Sequence, residues 1–548
     1  MTADLVLGGY PAKRCARAVH NDFSPASPPK PPVDEQTRRL FSAGNEFEEH
    51  VNAELAAGGA LLLSDDAGFE ANATATLDAM RNGIPVIVNG RLPRVKARVG
   101  APDVLVRLGA GYVPVDVKLH GTRTPAARRS VWLSPLDDPA ELRLVEGLSE
   151  AHGHLEKDGI QLAHYTRMLQ ELGLHAGDAH LVGGIIGSSD FEADVGRVRM
   201  VQWLDLAGPR RTTYSASAPS GRAQRSLLER YDHEFAFRLE VAAAAASGGE
   251  IVRPFHIYEC RTCPWLQYCT GLVGPRDASF AIATGLPSAQ QWRLLYDTGT
   301  TTVDALAVHD PDRAPDGWDE RDSQPGPRAA DRFAALVRRA RMTVAGVEYE
   351  PLSRWPQVPQ ADVEVDFDIE WDLDGHIYLW GLRVRDGQDD STAVFDPVVS
   401  YEPIDQAGEA ELAAEFAARL GAVVAAEESA GRSVTVFHWS HPERSMTRKY
   451  PEVDRLLEGR AVDLCAWYGQ HFLSRAGASL KVVAPMFGFR WAVDDAGGAQ
   501  SQLKIEAARG EGPAADEARA WLHRYNESDV AAQAAIRDGL RAAAGDAG

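Results

Sequence analysis

The stretch Cys260–Cys269 constrains this chain most, because it gathers three of the five cysteines into one short segment with the spacing C-x2-C-x5-C. A fourth cysteine, Cys15, lies near the N-terminus, and Cys465 lies far from both. Four thiolates are the ligand set that an iron–sulfur cluster or a structural zinc ion requires. If Cys15 is the fourth ligand, the metal ties the start of the chain to a point nearly half-way along it. The segment between them then folds as one domain.

Two other interpretations of these cysteines stay open at the level of sequence. A C-x2-C pair followed by a five-residue gap and a very distant partner fits the usual pairing of zinc ligands poorly. The thiols could also be ordinary buried side chains, although scattered structural cysteines seldom crowd into so short a loop. Cys465 lies in a predicted apolar helix and is not expected to be a ligand.

Composition narrows the classes of function. A chain of 548 residues predicts two or three domains, and a formal net charge of −21 disfavours a protein that coats nucleic acid by general positive charge. A nuclease with an acidic metal site beside a local basic groove remains compatible with that charge. The sequence has no G-x-x-x-x-G-K-[ST] pattern, which argues against an NTP-driven motor. Few cysteines, no leader-like start and no membrane-length apolar run favour a reducing cytoplasm and no membrane.

Two predicted strands in the first half carry the residues of a metal site. Asp103 lies in the first strand, at 101–107, and Asp116 and Lys118 share one face of the second, at 112–119. Two carboxylates can hold a divalent cation, and a neighbouring lysine can position or activate water for phosphodiester cleavage. Magnesium and manganese suit such oxygen ligands. By itself, a D-x-K pattern is weak evidence for a metal site, because most examples of it lie on exposed strand faces.

Two predicted helices bring further polar residues to the same region. A helix predicted from 35 to 57 carries Glu48 beside its apolar stripe, and Glu48 could complete the metal shell. By itself Glu48 is an ordinary flanking carboxylate. A helix predicted from Ser149 towards residue 172 places Gln161 and Tyr165 one turn apart. These elements in this order, enclosed by the cysteines, are far more specific than any one of them.

The second half opens with a run of alternating acidic and apolar residues. On a strand at 363–371, Asp368 and Glu370 point to one face while apolar side chains point to the other. Further strands, a helix and another strand follow, which is the order that begins a ribonuclease-H-like sheet. Near the end of the chain, Tyr525 and Asp529 face together on a predicted helix.

The first half resembles the RecB-like PD-(D/E)xK nucleases that carry an iron–sulfur cluster. The resemblance covers about residues 1–275 and rests on Cys15, Glu48, Asp103, Asp116, Lys118, Gln161, Tyr165, Cys260, Cys263 and Cys269. It implies a restriction-endonuclease-like core and a Mg²⁺ or Mn²⁺ site at the three acids. It also implies catalytic roles for Lys118, Gln161 and Tyr165, and a 4Fe–4S cluster on the four cysteines. Glu48 stands where relatives often have histidine, and D-x-K replaces the usual E-x-K.

The second half resembles the DnaQ-like branch of the ribonuclease-H superfamily. Its D-x-E motif is matched by Asp368 and Glu370, and its Y-x3-D motif by Tyr525 and Asp529. The resemblance implies a metal site at the three acids, with Tyr525 in a catalytic role. Relatives often show N-x3-F-D in the middle motif, and here that motif is absent. Glu443 is expected to substitute for the missing aspartate; if it does not, the centre lacks a ligand.

In this order the whole chain resembles a bacterial family of RecB-like nucleases with a ribonuclease-H-like C-terminal region. The predicted fold is α/β, with a restriction-endonuclease-like domain at 1–275, a helical connector and linker at 276–340, and a ribonuclease-H-like domain at 341–548. The predicted function is metal-dependent hydrolysis of DNA, at single strands or ends, in repair, recombination or defence, with a separate helicase as a candidate partner. The alternatives are a cluster-bearing nucleic-acid-binding scaffold with inactive centres, and a nuclease that cleaves RNA through its C-terminal domain.

Overall fold

The computed structural model describes residues 5–33, 35–64, 68–151, 153–193, 196–322, 328–372, 375–494 and 496–546. The chain forms two compact units. The first comprises residues 1–275, 287–295 and 315–329, and the second comprises 276–286, 296–314 and 330–548. Within the described ranges, none of the helices is both long enough and apolar enough to cross a membrane.

The elements of the first unit alternate between helices and strands. Its helices are α1 (Ala16–Phe23), α2 (Glu35–Ala57), α3 (Phe69–Arg81), α4 (Leu155–Glu171), α5 (Leu227–Ala246) and α6 (Leu266–Val273). Its strands are β1 (Leu61–Leu62), β2 (Val86–Val88), β3 (Leu92–Val95), β4 (Arg98–Gly100), β5 (Val104–Leu108), β6 (Gly111–Lys118), β7 (Arg123–Pro135), β8 (Arg143–Glu150), β9 (Val182–Ala193), β10 (Gly196–Asp205), β11 (Arg211–Tyr214) and β12 (Arg222–Arg225).

The main sheet of this unit has the strand order β1-β2-β5-β6-β9-β10-β7-β8. Strands β5 and β6 are antiparallel, and β6 runs parallel to β9. Val113, Val115 and Val117 of β6 pack in one core with Val51 and Leu55 of α2. Because side chains alternate along a strand, the residues between these valines point to the opposite face, where α4 contacts β6.

The predicted start of α4 is wrong. Ser149 does not cap α4; it lies in β8 and pairs with Thr124 of β7, so strand pairing overrides its capping tendency and α4 begins at Leu155. Helix α5 begins at Leu227, because Ser226 and Glu229 form a reciprocal capping box at its start and residues 222–225 form β12.

The remaining elements belong to the segment after α6 and to the second unit. The helices are α7 (Ala289–Asp297), α8 (Val303–Ala307), α9 (Arg328–Ala345), α10 (Gln406–Ser429), α11 (Pro442–Thr447), α12 (Pro451–Leu457), α13 (Leu464–His471), α14 (Leu480–Val483), α15 (Gly498–Ala508) and α16 (Pro513–Asp546). The strands are β13 (Tyr349–Pro351), β14 (Val363–Trp371), β15 (Ile377–Asp386), β16 (Asp389–Phe395), β17 (Val398–Val399), β18 (Val434–His438), β19 (Ala461–Asp463) and β20 (Phe472–Ser474).

The central sheet of the second unit has the order β16-β15-β14-β18-β19, with β17 paired to β15. Strand β14 is antiparallel to β15 but parallel to β18, so antiparallel and parallel pairing meet at this strand. The apolar side chains predicted to share one face of β14 pack together with Phe416 and Leu420 of α10. That face forms the core between the sheet and α10.

The opposite face of β14 is joined to α16 by buried charges. Arg537 of α16 donates through Nη1 to Asp366 Oδ1 at 2.5 Å and through Nη2 to Glu364 Oε2 at 2.9 Å. Arg385 of β15 donates to the same Glu364 oxygen at 2.7 Å. All four side chains are almost fully shielded from solvent. This network fixes where α16 lies on the sheet, and Asp529 lies about two helical turns before Arg537.

Candidate metal centres

Three buried carboxylates meet between β14 and α16. The ligand oxygens of Asp368, Glu370 and Asp529 all lie within 4.8 Å of one another. Across the described ranges, no other three histidine, cysteine, aspartate or glutamate ligand atoms come that close together. The structure therefore brings together the acids of the two motifs, which are separated by more than 150 residues in the sequence.

Asp368 is held by a residue that the sequence did not point to. Asn526 of α16 donates through Nδ2 to Asp368 Oδ2 at 2.8 Å. Asn526 lies against Gly381 of β15, and a β-carbon at Gly381 would collide with the Asn526 side-chain amide. Glycine at this strand position lets the helix approach the sheet closely enough for the amide to reach the acid.

Asp529 and Glu370 also have defined partners. The indole Nε1 of Trp491 donates to Asp529 Oδ1 at 2.6 Å, and Lys481 forms an ion pair with the same carboxylate. The Lys481 ammonium also lies 4.2 Å from the centre of the Trp491 ring. Ser501 donates to Glu370 Oε2 at 2.5 Å. No motif in the sequence assigned a role to Lys481.

Tyr525 and Glu443, the two other residues predicted for this centre, both contact it. Tyr525 hydrogen-bonds to Asp529 and stacks on Trp521, with ring centres 4.9 Å apart. Glu443 lies in the first turn of α11, and its carboxyl group hydrogen-bonds to that of Asp368. Glu443 is outside the group of three but interacts with Asp368, so its role as a substitute for the missing middle motif stays a prediction.

The pKa values of these acids show a surplus of buried negative charge. Burial and the neighbouring Asp529 raise the pKa of Asp368 well above its usual range, and burial and Asp368 do the same for Glu370. Burial and Asp368 raise the pKa of Glu443 to about 9. A divalent cation would take the place of the protons that these groups otherwise need, and an all-oxygen donor set suits Mg²⁺ or Mn²⁺. The residues present therefore fit such an ion.

A second group of acids lies at the ends of β5 and β6 in the first unit. Asp116 is fully buried, and the Lys118 Nζ lies 3.1 Å from its Oδ2. Asp103 precedes β5 and accepts a 2.7 Å hydrogen bond from the backbone of Val117. Burial and Asp116 raise the pKa of Asp103 to about 8, and Glu48 adds to this rise. The Asp116 Oδ1 is buried and has no hydrogen-bond partner within the described ranges. The structure thus brings Asp103, Asp116 and Lys118 together, and the charge of Glu48 acts on Asp103, although the three acids are not as close to one another as those of the C-terminal cluster.

The predicted residues of α4 adjoin this second group. Gln161 donates to the Tyr165 hydroxyl at 3.1 Å. Burial and the charge of Asp116 raise the pKa of Tyr165 well above its usual range. The Gln161 side chain also accepts a hydrogen bond from Lys13, a residue that carried no motif in the sequence.

The four N-terminal cysteines also lie near one another. Cys15 directly precedes α1, Cys269 lies in α6, and Cys260 and Cys263 lie at a 3-10 turn over Tyr258–Thr262. Burial and the charges of the other three thiols raise the pKa of Cys260 to about 12. No three of the sulfurs lie within 4.8 Å of one another. The ligands of a tetrahedral zinc ion would be about 3.8 Å apart, given Zn–S bonds of about 2.3 Å. Cys465 lies in α13 of the second unit.

Comparison with known protein families gives a match within the second unit. A family model described as the RNase_H superfamily matches residues 365–541. No curated protein and no solved structure matches the chain. The matched segment runs from within β14 to within α16, so it contains all three clustered acids. The prediction of a ribonuclease-H-like C-terminal region is confirmed, and this region suggests a nuclease-type function. The resemblance of residues 1–275 to RecB-like nucleases stays a prediction.

The raised pKa of Glu443 predicts a pH-dependent effect of Glu443→Gln. A carboxyl whose pKa is raised on folding stabilises the fold fully below its unfolded pKa of about 4.5, and this stabilisation is lost as the pH rises through about 9. Without divalent cations, the variant should therefore melt at a progressively higher temperature than the unmodified protein as the pH is raised from 6 to 9. Thermal unfolding in EDTA measures this difference.

Two comparisons complete this test. The matched control is Glu411→Gln, because Glu411 is exposed on α10 and its replacement should produce no such trend. With Mn²⁺ at pH 8, the unmodified protein should be stabilised more than Glu443→Gln, since the amide cannot supply the charge. A difference in melting temperature that does not change with pH would contradict the buried position of Glu443.

Proposed function

We propose that this protein is a metal-dependent nuclease that hydrolyses phosphodiester bonds of DNA. The observation that carries the proposal is the buried cluster of Asp368, Glu370 and Asp529 within the segment that matches the RNase_H superfamily. Glu443 adds a fourth carboxyl, and Lys481 is the cation that contacts the cluster. An excess of carboxyl groups over positively charged side chains is expected for a site that binds divalent cations.

In the C-terminal centre, Asp368, Glu370 and Asp529 would hold Mg²⁺ or Mn²⁺, with Glu443 beside Asp368. When bound, such ions stabilise the negative charge that develops on the phosphate. Trp491 and Lys481 keep the Asp529 carboxylate oriented towards the other acids. Tyr525, hydrogen-bonded to Asp529, would orient the attacking water.

A second active centre is proposed in the first unit. Its support is the proximity of Asp103, Asp116 and Lys118, together with an Asp116 oxygen that is buried without a hydrogen-bond partner in the described ranges. The two aspartates and Glu48 would hold Mg²⁺ or Mn²⁺. Lys118 would orient the attacking water or stabilise the developing charge. Gln161 and Tyr165 would be supporting residues of the site.

A 4Fe–4S cluster bound by Cys15, Cys260, Cys263 and Cys269 is proposed to hold the first unit together. The support is that the charges of Cys15, Cys263 and Cys269 all act on Cys260, while no three sulfurs in the described ranges are as close as the ligands of one zinc ion. Such a cluster would join the segment before α1 to α6 and so close the unit around its sheet.

The proposed substrate is single-stranded DNA or a DNA end. Asp368 and Glu370 are only 9% and 6% exposed, so a flexible strand can approach them more closely than the side of a duplex can. Repair, recombination or defence is the proposed context, with a helicase as a proposed partner. RNA cleavage by the C-terminal centre, and a binding scaffold with two inactive centres, are the alternatives that the following assay distinguishes.

Asp116→Asn and Asp529→Asn should each remove one centre, and the double variant should lose at least about a hundredfold in cleavage rate, because each change neutralises a metal ligand. Binding of DNA should persist, since it depends mainly on phosphate contacts elsewhere. The assay uses end-labelled single-stranded DNA and RNA with Mn²⁺. The matched control is Asp516→Asn, an exposed position on α16.

Each alternative predicts a different outcome of this assay. Cleavage of RNA alone, lost in Asp529→Asn, would favour the RNA nuclease. Binding of nucleic acid without cleavage by the unmodified protein would favour the scaffold. Cleavage of DNA at an unchanged rate by the double variant would contradict both proposed centres.

The protein purified without oxygen should be brown and contain about four iron atoms per chain. Cys263→Ala should lose the iron and lower both the solubility and the melting temperature, because the cluster would close the first unit. The matched control, Cys465→Ala, should keep the iron. Elemental analysis and visible absorption measure both results, and stoichiometric zinc without iron would rule the cluster out.

A further inference from the structure

Lys13 lies in the N-terminal centre although no motif includes it. It ends the 3-10 turn Pro11–Lys13, two residues before Cys15. Its Nζ donates to Gln161 Oε1 at 2.5 Å. Gln161 in turn donates to Tyr165, so the ammonium group is tied to the face of α4 that adjoins the acids.

The charges of Lys118, Asp116 and Asp158 all act on Lys13. Burial and the charge of Lys118 lower the pKa of Lys13 to about 8, while Asp116 and Asp158 oppose this fall. Lys118 itself is already paired with Asp116. Gln161 is a neutral partner, so it leaves the positive charge of the Lys13 ammonium group for a bound anion to offset.

The backbone next to Lys13 is held firmly in place. The carbonyl oxygen of Arg14 accepts two hydrogen bonds from Arg238 of α5, at 3.0 and 2.7 Å. Further along α1, Asp22 accepts a 2.9 Å hydrogen bond from Trp265, just before α6. The segment that carries Lys13 is therefore anchored on both the helix side and the cysteine side of the unit.

We propose that Lys13 is a substrate-binding residue that, with Lys118, contacts a phosphate group of the nucleic-acid strand at the N-terminal centre. This inference rests on the proposed nuclease function and adds a residue to it. The ligand class is a phosphodiester oxyanion, because a compact ammonium group binds phosphate as a point charge. The proposal also gives the anchored segment before α1 a role, since it places this lysine beside the acids.

The experiment compares Lys13→Ala, Lys13→Gln and Lys13→Arg in the Asp529→Asn background, where the C-terminal centre is disabled. Affinity for single-stranded DNA is measured in Ca²⁺ over a series of salt concentrations, and cleavage is measured in Mn²⁺. Lys13→Ala and Lys13→Gln should weaken binding and raise KM about tenfold, with a smaller change in kcat. Each lost phosphate contact should reduce the slope of log affinity against log salt by about 0.7.

The controls separate this inference from the proposed function. Lys13→Arg should restore the affinity and the salt slope, and the melting temperature of each variant reports whether it is folded. Lys96→Ala is the matched control, because Lys96 is an exposed lysine of the same unit. An unchanged salt slope and affinity in folded Lys13→Ala would overturn the inference even if the protein cleaves DNA. Failure of the Asp529→Asn protein to cleave would instead count against the proposed N-terminal centre, while the binding series would still test Lys13.

Discussion

The ion pairs between β14 and α16 are the interaction on which the second unit depends. Buried carboxylates are costly unless they are paired, and Arg537 pairs Glu364 and Asp366 on one face of the strand. Although burial opposes ionisation, the surrounding arginines hold the pKa of Glu364 below its usual range. Further along the same face, Asp368 is hydrogen-bonded to the neutral amide of Asn526, and its pKa is raised in spite of the nearby Lys481. One strand face therefore carries an acidic half that is paired with arginines and an acidic half that is proposed to bind metal.

The same physical reasoning connects the two proposed centres. In the first unit, Lys118 neutralises part of the charge around Asp116, yet the pKa of Asp103 is still raised. In both units, acids are buried on a central strand, where a helix packed on the sheet brings further polar groups to them. The excess negative charge would be offset by a divalent cation in each case. Lys13 adds a second ammonium group to the first unit's site, where it is proposed to contact a phosphate of the substrate.

The sequence predicted the elements that carry periodic patterns. The alternation along β14 and the one-turn spacing of Tyr525 and Asp529 are local, so a reader of the sequence can place these side chains on a face. Contacts between distant segments leave no such local pattern. Asn526 reaches Asp368 only because α16 packs closely on β15, and Lys13 reaches α4 across almost 150 residues. The wrong helix start at Ser149 has the same origin, because pairing between strands overrode a local capping signal.

The division of β14 into a structural and a metal-binding half can be tested with two substitutions on one strand. Thermal unfolding of Asp366→Asn and Asp368→Asn is measured at pH 8, in EDTA and in Mn²⁺. Asp366→Asn should lower the melting temperature in EDTA, because Arg537 loses a charged partner, and should still be stabilised by Mn²⁺. Asp368→Asn should melt no lower than the unmodified protein in EDTA and should lose most of the stabilisation by Mn²⁺. Equal stabilisation of Asp368→Asn and the unmodified protein by Mn²⁺ would contradict the proposed metal centre.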